Sequence, residues 1–153
     1  MAGGLGPNQP SDALTAARFS ITIDGYEIAS FSELQGITTE VKPVEHLESS
    51  DKEVILKKLP GKTEPATVVL KRGKSDHMAL WAWHESVLNG DIINARKSCS
   101  LVMYGPDGKA VARYHLEMAW PSKLEVGALK AGSSEVLMET VTIVSERIQR
   151  VSA

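Results

Sequence analysis

The sequence predicts a mainly β fold of the α+β class: an antiparallel β-sandwich or half-barrel with one flanking α-helix. Three observations predict it. Several stretches alternate apolar and polar residues at the two-residue period of a strand. They are separated by Asp24-Gly25 and Gly105-Pro106-Asp107-Gly108, residue types that reverse a chain. One segment alone, residues 75–89, carries apolar residues near the helical period.

Residues 1–16 read as a flexible arm and 17–153 as a single domain. Three of the first six residues are Gly, and Pro7 and Pro10 deny both helix and ladder. Phe19, Ile21 and Ile23 then alternate with Ser20 and Thr22, and Asp24-Gly25 turns the chain into a returning strand from Tyr26. Residues 36–48 suit an irregular or edge strand because Pro43 interrupts them. Val54 to Leu59 is apolar apart from Lys57 and Lys58 and is expected to stop at Pro60-Gly61; Ala66 to Leu70 is a short strand.

Ser75 and Asp76 suit the start of the helix, where side-chain oxygens meet free N–H groups and negative charge meets the dipole. Met78, Leu80, Trp81 and Leu88 form its expected apolar stripe, and Asn89-Gly90 its left-handed end. Of Trp81 and Trp83, two apart on the helix, one is expected in the core and the other at an interface. Strands follow at 98–104 and 110–119, the second ended by Pro121, and a long β-branched strand runs from Glu135 to Ile148.

Composition narrows the function. The chain has 153 residues, 42% hydrophobic and 24% charged, an ordinary globular mix that buries roughly 68–70% of its unfolded surface without a staple. Lys and Arg number 17 against 19 Asp and Glu, a net charge of −2, so a basic surface gripping nucleic-acid phosphates is disfavoured. One cysteine, Cys99, permits no internal disulfide and no multi-cysteine metal site, and a buried inert thiol is expected. No apolar run approaches the ~20 residues of a bilayer span, so no stable membrane insertion is expected. Met1 to Asp12 lacks a basic or apolar stretch, so synthesis in the cytoplasm without a signal peptide is expected.

The residues assemble no catalytic constellation, cofactor site or metal site. Gly61-Lys62-Thr63 and Gly73-Lys74-Ser75 echo a phosphate-binding loop, but Leu56 and Val68 stand where its earlier glycine belongs. A small nucleotide-binding enzyme using Gly73-Lys74-Ser75 remains a rival reading, as does a monomeric β-sandwich binding module. His84-Glu85 begins a zinc motif that Leu88 leaves unfinished, so His77 and His84 are expected to be a solvent-facing pair.

A sheet of this kind has polar small residues on one side and edges that invite another chain. Phe19 to Gly36, ending Phe31-Ser32-Glu33-Leu34-Gln35-Gly36, is followed by Lys58-Leu59-Pro60-Gly61 and Leu70-Lys71-Arg72-Gly73. Trp120-Pro121-Ser122-Lys123 and Glu135 to Arg150 complete the series. In this order the stretches resemble the tail-tube family of contractile phages and phage-derived injection systems, over nearly the whole chain beyond the arm. Tyr114 stands where that family often has Trp.

The resemblance implies a structural subunit and no enzyme. It implies homohexameric, stacked rings whose strands close a continuous barrel around a lumen, with sheath, baseplate and tube-terminator proteins as partners. Protein cargo or DNA would pass without sequence-specific binding, and the assembly would be a phage tail-like particle of a bacterium or, alternatively, the tail of a phage virion. Ser20, Thr22, Thr140 and Thr142 are the expected lumen-facing residues. Val54, Leu56, Leu59, Pro60 and Gly61 fall in a loop that, in the family, reaches neighbouring subunits; Val54, Leu56 and Leu59 would otherwise cover the chain's own core.

Overall fold

The structure, a computed structural model, describes residues 16, 18–49, 53–73, 78–127, 132 and 137–153. Among them are ten strands and two helices. β1 (Arg18–Ile23) and β2 (Tyr26–Phe31) form the hairpin expected at Asp24-Gly25, whose φ angles of 52° and 82° both lie in the left-handed region. β3 (Glu33–Thr38) leads into a ribbon of β4 (Val41–Ser49) and β5 (Val54–Thr63), followed by β6 (Ala66–Gly73). After α1 (Ala79–Leu88) and α2 (Ile92–Ala95) come β7 (Lys97–Tyr104), β8 (Ala110–Val126), β9 (Met138–Ser145) and β10 (Arg147–Val151).

The main sheet is antiparallel in the order β2-β1-β7-β8-β9-β6-β3, with β10 also on β8; β4 and β5 form a separate two-stranded sheet. β8 joins the two halves. Its first part pairs with β7 and β10 and its last part with β9. Between them Met118 takes φ 50° and the register slips between Pro121 and Lys123. Such irregularities bend a strand, and the bent sheet encloses one core that includes Ile21, Phe31, Leu70, Leu101, Leu116 and Ile143.

Several sequence expectations are corrected here. β8 continues through Pro121, because a bulge tolerates a residue with no N–H to give the ladder. β5 likewise continues past Pro60, which meets Pro43 at an irregular register. The long final strand breaks at Glu146 into β9 and β10.

The described helix begins at Ala79 with Met78 as N-cap and no side-chain cap bond; Ser75 and Asp76 lie outside the described residues. Its buried face is Leu80, Trp83 and His84, whereas Met78 and Leu88 are exposed. Two hydrogen bonds decide that face. Trp83 Nε1 donates to the Ala95 carbonyl at 2.6 Å, and His84 Nδ1 lies 3.0 Å from the Pro121 carbonyl. A carbonyl can only accept, so His84 carries its proton on Nδ1. His84 is therefore a core histidine, and His77 lies outside the described residues. Trp83 is the core tryptophan; Trp81 is half-buried, edge-on to His84 with centroids 6.3 Å apart. Gly90 supplies the left-handed end expected of it, at φ 81°.

Candidate assembly surfaces

β3, β6, β9 and the last part of β8 make a four-stranded half-sheet. Directly paired residues share a face, so the registers read out its outer surface in rows. Glu33, Lys71, Thr140 and Glu125 form one row. Val69, Thr142 and Lys123 form the next, and Thr38, Thr67 and Val144 a third. The opposite face holds Val68, Leu70, Val141 and Ile143 in the core. Lys123 Nζ approaches Glu125 Oε1 at 2.8 Å, and the Ser122 hydroxyl donates to the Thr142 carbonyl at 3.2 Å. The two lysines are matched by two glutamates. The first row is polar and the charges of this face balance.

Thr140 and Thr142 lie together on this face. Ser20 and Thr22 do not join them, because β1 belongs to the other half of the sheet. Thr22 is half-buried and donates to the Ser100 carbonyl at 3.5 Å. Ser20 is fully buried beside Val102, with no hydrogen-bond partner for its hydroxyl, so it presents no surface to a lumen. Alternation identifies the face a residue occupies but not whether that face is covered.

Among the described residues the half-sheet has two free sides, β3 and the last part of β8. Four antiparallel strands are an even number, so these outer strands run in opposite directions. A copy placed beside it can therefore continue the sheet antiparallel.

The β4–β5 ribbon projects from this half-sheet. Val54, Leu56 and Leu59 are 71%, 55% and 47% exposed, so they do not cover the chain's own core. The ribbon carries apolar side chains on both faces, interspersed with charged ones. Val44, Leu59 and Ile55 lie on one; Leu47, Leu56 and Val54 lie on the other. Lys57 Nζ meets Glu48 Oε2 at 2.7 Å. At its base Glu64 N–H donates to the Glu40 carbonyl at 2.9 Å, and Pro60 and Gly61 belong to β5 rather than to a loop. A Cβ at Gly61 would lie 2.5 Å from Val44 Cγ2 and 2.6 Å from the Lys42 carbonyl oxygen, which is why glycine stands there.

Inside the fold, Arg72 and Glu139 are register partners in β6 and β9, 3.1 Å apart. Arg72 also stacks on the Phe31 ring at 5.5 Å. This pair was missed by sequence reasoning, although Val68, Leu70 and Arg72 share one parity along β6. Cys99 is buried, as expected, and burial pushes its thiol up to about 12. Gly61-Lys62-Thr63 lies in a strand, Gly73 ends β6, and Lys74 and Ser75 lie outside the described residues. Among the described residues no group of three His, Cys, Asp or Glu side chains is placed to hold a metal, and no helix is long and apolar enough to cross a membrane.

A half-sheet with edges unpaired among the described residues and a projecting ribbon with exposed apolar side chains suit a structural subunit. The profile of the T4-like virus tail tube protein gp19 matches residues 15–149, and the chain belongs to that family. No curated protein sequence matches it. Among solved structures, one chain of the anti-feeding prophage baseplate, 6-fold symmetrised, superposes with TM-score 0.72 at 18% identity, covering 94% of this chain and 98% of its own. A chain of the sheath–tube complex of an extracellular contractile injection system (PVC, extended state) gives 0.69 at 16% identity, covering 94% of each. Hcp1 from Flavobacterium johnsoniae gives 0.50 at 14%, covering 88% of this chain and 95% of its own. The fold is that of tail tube proteins of phage tails and contractile injection systems.

Proposed function

We propose that six copies of this chain close a ring whose wall is a continuous barrel of twenty-four strands, each copy contributing β3, β6, β9 and the end of β8. The half-sheet's free edges carry this reading, since they run in opposite directions and so allow antiparallel closure. Barrels of 16–18 strands already leave an aqueous channel, and this one is wider. Thr140 and Thr142, with the balanced Lys71, Lys123, Glu33 and Glu125, line the bore and keep it wet without attracting either sign of charge. Val54, Leu56, Leu59, Pro60 and Gly61 belong to the ribbon that ties neighbouring copies together.

Stacked rings form a stiff conduit inside a sheath, ending at a baseplate and a terminator, as the names of similar structures suggest. The subunit makes and breaks no bonds; it conducts protein cargo or DNA without sequence recognition. The likeness to injection-system tubes favours a bacterial phage tail-like particle, built in the cytoplasm. The family match supports the second reading, a contractile phage virion tail conducting DNA. Negative-stain electron microscopy of the purified full chain tests the proposal: rings or tubes with an open centre are expected, and a persistent monomer at high concentration, with and without baseplate, overturns it.

A further inference from the structure

The two outer strands of the half-sheet restrict how a second copy can join them. At the end of β8 the Gly127 N–H donates to the Met138 carbonyl at 2.8 Å. By alternation the backbone groups of Glu125 and Lys123 also turn to β9, and those of Leu124 and Val126 turn to the open side. Glu33 on β3 and Lys123 and Glu125 on β8 are exposed, on the same face as Thr140 and Thr142. Leu34 and Leu124 are half-buried on the opposite face, against the core. Lys123 is paired with Glu125 of its own strand, whereas Glu33 has no ion-pair partner among the described residues.

We propose that Glu33 of one copy stands directly opposite Lys123 of the next and so fixes the register of the seam between them. The inference rests on the reading of the chain as a tube subunit whose half-sheets join edge to edge. Side chains alternate between faces, so a slip of one residue would turn Glu33 into the core and Leu34 out of it; the permitted registers differ by steps of two. Glu33 and Glu125 share a row within one copy. A seam that continued this row straight would set two carboxylates opposite each other at every interface, which destabilises a ladder. It would also close the sheet without stagger, whereas a barrel needs staggered, tilted strands. A step of two towards Gly127 carries Glu33 past the end of β8 and makes no charge pair. A step of two towards Trp120 sets Glu33 opposite Lys123. Because the backbone groups of Lys123 face β9, this is a non-hydrogen-bonded pair, the kind whose side chains come closest. On the core face Leu34 then lies diagonal to Leu124, within reach of a long side chain. Lys123 is thereby held between Glu125 of its own chain and Glu33 of the next.

Cysteine pairs in the full chain read this register. Glu33→Cys combined with Lys123→Cys places one thiol on each side of every seam, with Cα atoms about 4.5 Å apart, a spacing a disulfide accepts. Within one copy three strand spacings, about 14 Å, separate the two positions, so the bond forms only between copies. Native Cys99 is buried. Oxidised tubes of this variant are expected to give a ladder of disulfide-linked multimers on a non-reducing gel, and Glu33→Cys with Glu125→Cys to give none. Independently, Lys123→Glu is expected to raise the concentration needed for tube assembly about tenfold, because it faces two like charges across each seam. Adding Glu33→Lys is expected to recover most of that loss. A ladder from the 33/125 pair instead, tubes without a ladder from either pair, or no recovery on double charge reversal overturns the register while leaving the tube reading intact. Failure of the unaltered chain to assemble at all overturns the tube reading itself.

Discussion

Arg72 Nε donates to Glu139 Oε2 across 3.1 Å in the interior between β6 and β9, with both side chains almost wholly buried. The pair sits one step from Leu70 and Val141 on the core side of the half-sheet whose outer side is proposed to face the bore. It ties that wall to Phe31 of β2, in the other half of the sheet.

Removing one partner strands a buried charge, which costs about 3–5 kcal/mol. Glu139→Leu is therefore expected to lower the melting temperature strongly, and Arg72→Met to do the same. The double variant Arg72→Met/Glu139→Leu is expected to regain most of the loss, because the apolar pair carries no desolvation penalty. Thermal melts of the four proteins check this; additive losses in the double variant would refute the coupling.

Leu59→Asp separates folding from assembly. The side chain is exposed on the ribbon, so the subunit's stability is expected to change by no more than about 0.5 kcal/mol. Ring or tube formation is expected to be lost. Circular dichroism melts and electron microscopy read the two effects, and normal tubes would remove this residue from the contact.

Gly61→Ala is expected to distort the base of the ribbon while leaving the core melt nearly unchanged. The added methyl meets Val44 Cγ2, which can give, and the Lys42 carbonyl oxygen, which is backbone and cannot without moving β4. Overpacking of this kind costs about 1–3 kcal/mol, which local opening of the exposed ribbon relieves without unfolding the core. Limited proteolysis is expected to show faster cleavage within residues 41–63 than in the unaltered chain.

Cys99 is expected to resist thiol reagents in the folded chain and to react fully once unfolded. With its thiol raised by burial from 9.0 to about 12, the native protein at pH 8 holds about a thousandfold less thiolate than a free thiol. The sign of the stability effect follows: the contribution of the protonated thiol is whole below pH 9.0 and is lost as pH rises towards about 12. Reaction rates with and without denaturant test the first point; rapid native labelling would contradict it.

What the sequence by itself determined was local. Asp24-Gly25 forced the first hairpin because both positions accept positive φ, Gly105 to Gly108 forced another, and period-two alternation in Phe19 to Ile23 and in Val141 to Ile143 chose the core side of those strands. It also separated Thr140 and Thr142 from the core. Long-range packing decided the rest. Ser20 alternates as Thr140 does, yet a covered face buries it; Met78 and Leu88 are apolar, yet the Trp83 and His84 hydrogen bonds to Ala95 and Pro121 turned the helix away from them. Pro60 and Pro121 read as strand ends, but register slips absorbed both. The physical reason is that turn chemistry and side-chain parity act over a few residues of backbone. The cover over a face and the partner for a buried polar group come from segments distant in the chain, and for the projecting ribbon the proposal places that partner on another copy of the chain.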